Sequence, residues 1–349
     1  MVLASSLYLS GCGLFGGDEK VQQDPPQEDV SYLEEGEESV DTTDSAEGDT
    51  VTSSIDDSTA TIMTELYLID ENGYVVSQTM SLPKVESVAK QALEYLVTNG
   101  PVSNILPNGF RAVLPADTTV DVNIDGNKAI ADFSPEFEKY AAEDEEKILQ
   151  AVTWTLTQFE KVEKVELRVN GYPLTEMPVN GTPINKNGLS RTMGINLDSN
   201  GVVDLTNSRQ VTVYYLAQKG ESVYYVPVTK RVSNVENDNV IAVVEELIDG
   251  PAYTSKLVSG FMSDVALLDD PKLVDGEVTL NFNEAIFGSF EEELISTQLL
   301  NSLVLSLTEQ TGIEKVSVLV NGEGDLVNEE GDILSEPVTR PERVNTISF

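Results

Sequence analysis

Histidine is missing altogether from the 349 residues, and cysteine and tryptophan occur once each. Each shortage excludes a chemistry. Without histidine no Ser-His-Asp or Cys-His arrangement can form, because the general base is absent. The usual His and Cys zinc sites go with it. A single cysteine allows no internal disulfide. Positive charge is scarce too: 21 Lys and Arg stand against 60 Asp and Glu, a formal net charge of -39. Such a surface repels nucleic acid and anionic lipid headgroups, so neither is an expected partner, whereas cations or a basic protein are. Any catalysis would have to rest on Asp, Glu, Lys, Tyr or Ser. What is present is a hydrophobic fraction of 40%, enough for real cores, in a length that suits two or three domains.

The one cysteine sits in an uncharged opening. Residues 1–9 are apolar or small, and Leu9-Ser10-Gly11-Cys12 follows. This resembles the bacterial lipobox, in which an aliphatic residue and two small ones precede a cysteine that receives a diacylglyceryl group. The resemblance implies that residues 1–11 are a signal peptide cut before Cys12, and that Cys12 is the lipid attachment site. The protein would then sit on the extracytoplasmic face of the cell membrane, held firmly only by two or more acyl chains. No Lys or Arg precedes Cys12, and 11 residues fall short of the roughly 15–30 of a secretory signal, so a truncated leader is expected.

Residues 12–61 are read as the anchor cysteine and a linker. From Asp18 to Asp57 there are 15 acidic residues and one basic, Lys20. Such a tract cannot bury enough surface to offset its chain entropy, and its charges repel one another. The expectation is a disordered acidic spacer. Taking it from the chain's 60 acidic and 21 basic residues leaves 45 and 20, a net of -25, so the folded part is acidic as well.

The remainder repeats itself. LTQFEKVEKVELRVNG (Leu156 to Gly171) matches LTEQTGIEKVSVLVNG (Leu307 to Gly322) without a gap, half of its positions identical, at an offset of 151 (322 minus 171). The same offset aligns Leu106 to Phe110 with Leu257 to Phe261, and an offset of 150 aligns Asn99-Gly100-Pro101 with Asp249-Gly250-Pro251. Three signals in one order make a duplication into tandem globular domains, at 62–185 and 209–337, with 186–208 as a linker and 338–349 as a tail.

One coarse reading fits both copies. A β run opens each: ELYLID with YVVSQ, then VTVYYLA with SVYYVPV. Apolar residues at helical spacing follow, Val85 to Leu96 and Val240 to Ile248, each ending at a Gly-Pro stop with the glycine as left-handed cap. A strand pair turns at Asp125-Gly126 and at Asp275-Gly276. A second helix presents one apolar side, Ile148 to Phe159 and Ile295 to Leu307, the latter opened by a Ser289–Glu292 capping box. A last strand ends at Asn-Gly. The predicted fold is α+β: two tandem β-α-β-β-α-β domains, each a mixed sheet with helices on one face.

The lipobox, the acidic spacer, the two copies ending in IEKVxxxVNG-like strands and the helix-xGP motifs together resemble the GerMN-domain family of sporulation and germination lipoproteins, over residues 62 to about 337. The resemblance implies a non-catalytic envelope protein that assists assembly of a sporulation- or germination-associated complex by protein–protein binding. It implies domains like the ring-building folds of the channel between mother cell and forespore, envelope or sporulation-channel proteins as partners, no cofactor, and no catalytic residues to carry over.

Four motifs compete with that reading. Asp121, Asn123, Asp125 and Asp132, with Gly126, match a calcium-loop spacing, but Asp stands where Glu is usual and the flanks alternate like strands. The expectation is a solvent face and no metal site, with these four residues the weak candidates. Tyr214-Tyr215 and Tyr224-Tyr225 could stack sugars; the expected arrangement is one ring of each pair inward, one outward, packed across strands. Trp154 is expected in the core. Glu143 to Glu146 read as the acidic first turn of a helix. Two rivals to a scaffold remain: a cell-wall glycan hydrolase or other peptidoglycan-binding lipoprotein built on carboxylates, and a solute-binding lipoprotein, which would need a two-lobed chain with a cleft.

Overall fold

The computed structural model describes residues 60–346 except 200–203, 205, 235–237 and 289–292. Cys12, the acidic tract and the Ser289–Glu292 pair lie outside the described residues.

The first copy opens with a hairpin, β1 (Thr61–Ile69) and β2 (Val75–Pro83), followed by α1 (Val88–Glu94), β3 (Val120–Asp125), β4 (Lys128–Phe133), α2 (Glu145–Leu156), β5 (Lys164–Val169) and β6 (Tyr172–Pro173). The second repeats the plan. Its hairpin is β7 (Ser208–Lys219) and β8 (Ser222–Ser233), followed by α3 (Asn239–Asp249), β9 (Lys272–Val274), β10 (Glu277–Phe282), β11 (Leu294–Ile295), α4 (Thr297–Thr308) and β12 (Lys315–Val320). Short strands β13 (Leu326–Asn328), β14 (Ile333–Leu334) and β15 (Val338–Thr339) complete it. The tandem α+β organisation is therefore as the repeat predicts.

The hairpins stand apart from the mixed sheets. β1–β2 and β7–β8 each form a two-stranded sheet, whereas the mixed sheets run β3-β4-β5-β6 and β15-β12-β10-β9. β4 pairs parallel with β5, and β10 with β12, as a helical crossover between neighbours requires. α2 packs on β1 and on β5, and α4 on β7 and β12. Each copy thus has three layers, with helices between hairpin and sheet. This corrects the one-sided helix expected from periodicity. In α2 every residue from Ile148 to Leu156 is buried, Gln150, Thr153 and Thr155 among them. The face that a two-layer fold would leave in water lies under the hairpin.

Two of those polar side chains, Gln150 and Thr155, have partners outside the helix, whereas the Thr153 hydroxyl has none among the described residues. A two-stranded sheet inside a protein has two edges whose backbone groups need partners. Thr155 Oγ1 accepts from the Tyr67 N–H (3.2 Å), and Gln158 both accepts from the Glu65 N–H (2.9 Å) and donates to the Glu65 carbonyl (2.7 Å). In the second copy Ser306 Oγ accepts from the Tyr214 N–H (2.8 Å), and Ser302 donates to the Tyr214 carbonyl. Helix side chains close the outer edge of each hairpin.

Local turns refine the reading. Asn170-Gly171 and Asn321-Gly322 adopt positive φ at both positions, as a type I′ turn demands. So do Asp275-Gly276. In the first copy the turn is one residue later, because Asp125 pairs with Lys128 and leaves Gly126-Asn127 as the loop. That register puts Val120, Val122, Ala129, Ala131 and Phe133 on the buried face, and core alternation outranks turn preference. Gly250 caps α3 at φ 79, but α1 ends at Glu94 with Tyr95 as its cap, short of the expected Gly-Pro stop, where Asn99 (φ 61) and not Gly100 is left-handed. α4 starts at Thr297 after Ser296, several residues beyond the expected capping box.

One acid of the Glu143 to Glu146 run is a hub. Glu145 heads α2 with its side chain fully buried. It accepts hydrogen bonds from the Tyr140 hydroxyl (2.7 Å), the Asn180 N–H (2.7 Å), the Thr182 N–H (3.0 Å) and hydroxyl, and the Val179 N–H (3.2 Å). Burial pushes the carboxyl up, but the bonds from Asn180, Thr182 and Tyr140 outweigh it and hold it at about 2. Its contribution to stability is therefore complete above the unfolded value of about 4.3 and is lost as pH falls from there toward 2. Glu145→Gln should cost about 2 kcal/mol at pH 7 and flatten the loss between pH 5 and pH 2, measured by urea unfolding at each pH. Equal acid sensitivity in both proteins would contradict the assignment.

Candidate functional site

The inner edges of the hairpins, β2 and β8, face each other at the junction of the two copies. β2 is buried at every position from Val75 to Met80, and Val76 packs into the second copy's core. These edges are closed by two segments that the repeat leaves outside its aligned blocks.

The first segment leaves the sheet of its own copy at Leu189, bridged to Val165, and crosses to the other hairpin. There Thr229 and Ile195 exchange hydrogen bonds: the Thr229 N–H donates to the Ile195 carbonyl (2.8 Å), and the Ile195 N–H to Thr229 Oγ1 (2.9 Å). Asn196 sits between the strands. Its amide donates to the carbonyls of Val75 (2.7 Å) and Pro227 (2.8 Å), and its oxygen accepts from the Val75 N–H (2.8 Å). The second segment leaves its own sheet at Val338, paired with Val316, and makes the same crossing in reverse. The Thr79 N–H donates to the Val344 carbonyl (3.1 Å), and the Val344 N–H to Thr79 Oγ1 (2.9 Å). Asn345 donates to the carbonyls of Tyr225 (2.8 Å) and Ser77 (2.9 Å) and accepts from the Tyr225 N–H (2.7 Å).

Every bond in one set has its counterpart in the other. The strand residues differ by 150 (229 minus 79, 225 minus 75, 227 minus 77) and the strap residues by 149 (344 minus 195, 345 minus 196). The junction is a pseudo-two-fold exchange of straps between the copies. A side-chain amide suits this role because it carries donors and an acceptor side by side, as a peptide group does. Both asparagines adopt positive φ, 46 and 56, which asparagine tolerates better than most residues.

Charge follows the straps. The Arg191 guanidinium lies 4.5 Å from the centre of the Trp154 ring, and that of Arg340 5.5 Å from the centre of Tyr214. Both pair with Glu309, at 2.6 Å and 3.4 Å, and the Tyr214 hydroxyl donates to the same carboxylate (3.1 Å). Only 9% of the Glu309 side chain is exposed. Burial pushes this carboxyl up, and the two guanidiniums outweigh it and hold it below its ordinary range. On one flank Lys219 pairs with Glu71 (2.7 Å), the Tyr224 hydroxyl donates to Asp70 (2.8 Å), and Phe110 meets Tyr224 edge-on at 5.3 Å.

The candidate residues from sequence fall elsewhere. Asp121 pairs with Lys90 (2.7 Å), Asp132 accepts from the Gly171 N–H (2.9 Å), Asp125 is exposed, and Asn123 is partly buried, all on the β3–β4 hairpin. Asp121 and Asp132 face each other across the strands, but among the described residues no group of three or more metal-type ligands converges. The tyrosines depart from expectation. Tyr214 and Tyr215 are both buried, and each tyrosine of the hairpin stands opposite an aliphatic residue or proline across the strands. The reason is the covering of the hairpin on both faces, by its own helices and by the junction. Trp154 is in the core, 1% exposed. The residues that make the junction went unread, although Arg-x-x-x-Ile-Asn (Arg191 to Asn196) and Arg-x-x-x-Val-Asn (Arg340 to Asn345) repeat at an offset of 149.

The geometry makes one prediction about each interaction. Glu309→Gln leaves two confined guanidiniums without their carboxylate and should cost about 3 kcal/mol by denaturant unfolding. Asn196→Ala with Asn345→Ala strips partners from buried backbone groups in both copies, and calorimetry should show the single unfolding transition split into two. An unchanged single transition would contradict the role given to the asparagines.

Comparison with known proteins agrees with this architecture. The profile described as "Germane: Sporulation and spore germination" matches residues 65–175 and 212–325. The chain is 57% identical over 357 aligned residues to the "Spore germination protein GerM" of Bacillus subtilis (strain 168), covering 99% of this chain and 96% of that protein. The solved structure of the tandem GerMN domains of the sporulation protein GerM from Bacillus subtilis superposes with a TM-score of 0.79 at 60% identity, covering 83% of this chain and all of that one. Two GerMN-like copies joined by exchanged straps, matched by profile, sequence and structure alike, place this chain in the Germane family of sporulation and spore germination proteins.

Proposed function

We propose that the protein is a lipid-anchored, extracytoplasmic docking scaffold that assists assembly of a sporulation- or germination-associated envelope complex. In this reading Cys12 carries the lipid, the acidic spacer lifts the tandem unit off the membrane, and both copies act together as one non-catalytic binding body. The observation that carries it is the junction. Reciprocal straps, paired backbone edges and a shared Glu309 hold two copies in one orientation, which is what a body presenting two surfaces to an assembly requires. Envelope or sporulation-channel proteins are the partners that fit the family.

The rival reading, hydrolysis of wall glycan, needs a carboxyl group with a raised pKa opposite a second carboxylate. Asp144, Glu145, Glu166 and Glu309 are shifted the other way, by salt bridges and hydrogen bonds that serve the fold. This favours binding over catalysis.

Deletion of the gene in the source bacterium should reduce heat-resistant spores or their germination. The intact protein should restore them, and Cys12→Ala should not. Normal counts and normal germination after deletion would remove the sporulation role, and full rescue by Cys12→Ala would remove the anchor.

A further inference from the structure

The two copies differ at one seam, where the first helix crosses the edge strand of the mixed sheet. In the first copy β3 pairs with β4 along its length, with Val120 opposite Phe133, Val122 opposite Ala131 and Ile124 opposite Ala129. Val120 and Val122 are buried, and α1 packs over them. In the second copy Leu267 bridges Phe282 and Leu273 lies opposite Val278. These two hold the places of Val120 and Ile124, but they are six residues apart (273 minus 267) where the first copy has four (124 minus 120). The two extra residues force Asp269-Asp270-Pro271 into a bulge, and a bulge breaks the inward alternation of side chains. The position that Val122 fills is left to it.

The consequence is an open groove of about 930 Å³ between α3 and the bulge. The side chains of Ile241, Val244, Ile248, Val265 and Leu267 form an apolar strip along its floor among polar groups that supply more of its exposed surface, and Leu268 stands at its lip 49% exposed. Its rim is acidic: Asp249, Asp269 and Asp270 line it, and Asp269 is oriented by the Asn281 amide (2.6 Å).

We propose that this groove of the second copy binds an apolar side chain presented by a basic segment of a partner protein. The first copy shows the kind of group that seals the seam, a β-branched aliphatic side chain on an extended strand. The acidic rim sets the sign of the flanking charge, because like charges across an interface are rejected. A second copy of this chain, with its own charge of -39, is the wrong partner. The inference deepens the scaffold reading by giving it a site and a partner chemistry, and it rests on that reading for its biological setting.

The test uses the full chain with labelled Ile, Leu and Val methyl groups, titrated with a seven-residue peptide alternating lysine and valine. Shifts should be confined to the groove's own Ile241, Val244, Ile248, Val265, Leu267 and Leu268. Binding should weaken at least ten-fold when serine replaces the peptide's valines, and as much in Leu268→Lys, whose exposed position leaves the fold intact. No binding, equal binding of the lysine–serine peptide, or shifts in the first copy would overturn the proposal. The two readings fail separately. A chain needed for spores that ignores the peptide keeps the scaffold and loses the groove, whereas one that binds it and is dispensable for spores keeps the groove alone.

Discussion

A two-stranded sheet buried on both faces has two rows of backbone groups that neither water nor a third strand can satisfy, and most of this structure answers that constraint. The outer edges of β1 and β7 are closed by hydroxyls and an amide from α2, α4 and Gln158. The inner edges of β2 and β8 are closed by Asn196 and Asn345. Buried Thr155, Ser302 and Ser306, which would be faults in an ordinary core, are partners these edges need.

The same constraint makes the copies interdependent. Neither inner edge is closed from within its own copy alone: Asn196 belongs to the first copy's strap yet serves Pro227, and Asn345 belongs to the second copy's strap yet serves Ser77. A duplicated domain with such an edge gains by pairing with its twin, and the pseudo-two-fold arrangement is the result. Scarce positive charge is spent here as well. Arg191 and Arg340 both turn to Glu309, so two of the chain's 21 cations converge on one buried carboxylate at the junction.

Much of the fold was legible. The repeat, the Asn-Gly turns, the Gly250 stop and the core position of Trp154 are local signals, and local signals survive in the fold. What failed was long-range. Helical spacing cannot reveal that α2 has a second neighbour, because Thr155 and Gln150 look like a solvent face until a hairpin covers them. The expectation of one inward and one outward tyrosine in each pair fails for Tyr214 and Tyr215 for the same reason. The metal-like spacing of Asp121, Asn123 and Asp125 falls on a strand, where period two alone produces it. The junction was legible in principle through the Arg-x-x-x-aliphatic-Asn repeat, but lay where composition resembled a linker and a tail.

The most direct test of the account is a distance distribution between the copies. Spin labels at Glu86→Cys and Glu314→Cys, both exposed and one in each copy, with Cys12 replaced by serine, report it by pulsed electron resonance. A single narrow distribution is predicted, because the straps, the asparagines and Glu309 fix one orientation. A broad distribution spanning many separations would show two domains on a flexible tether, and the exchanged straps could not then be what joins them.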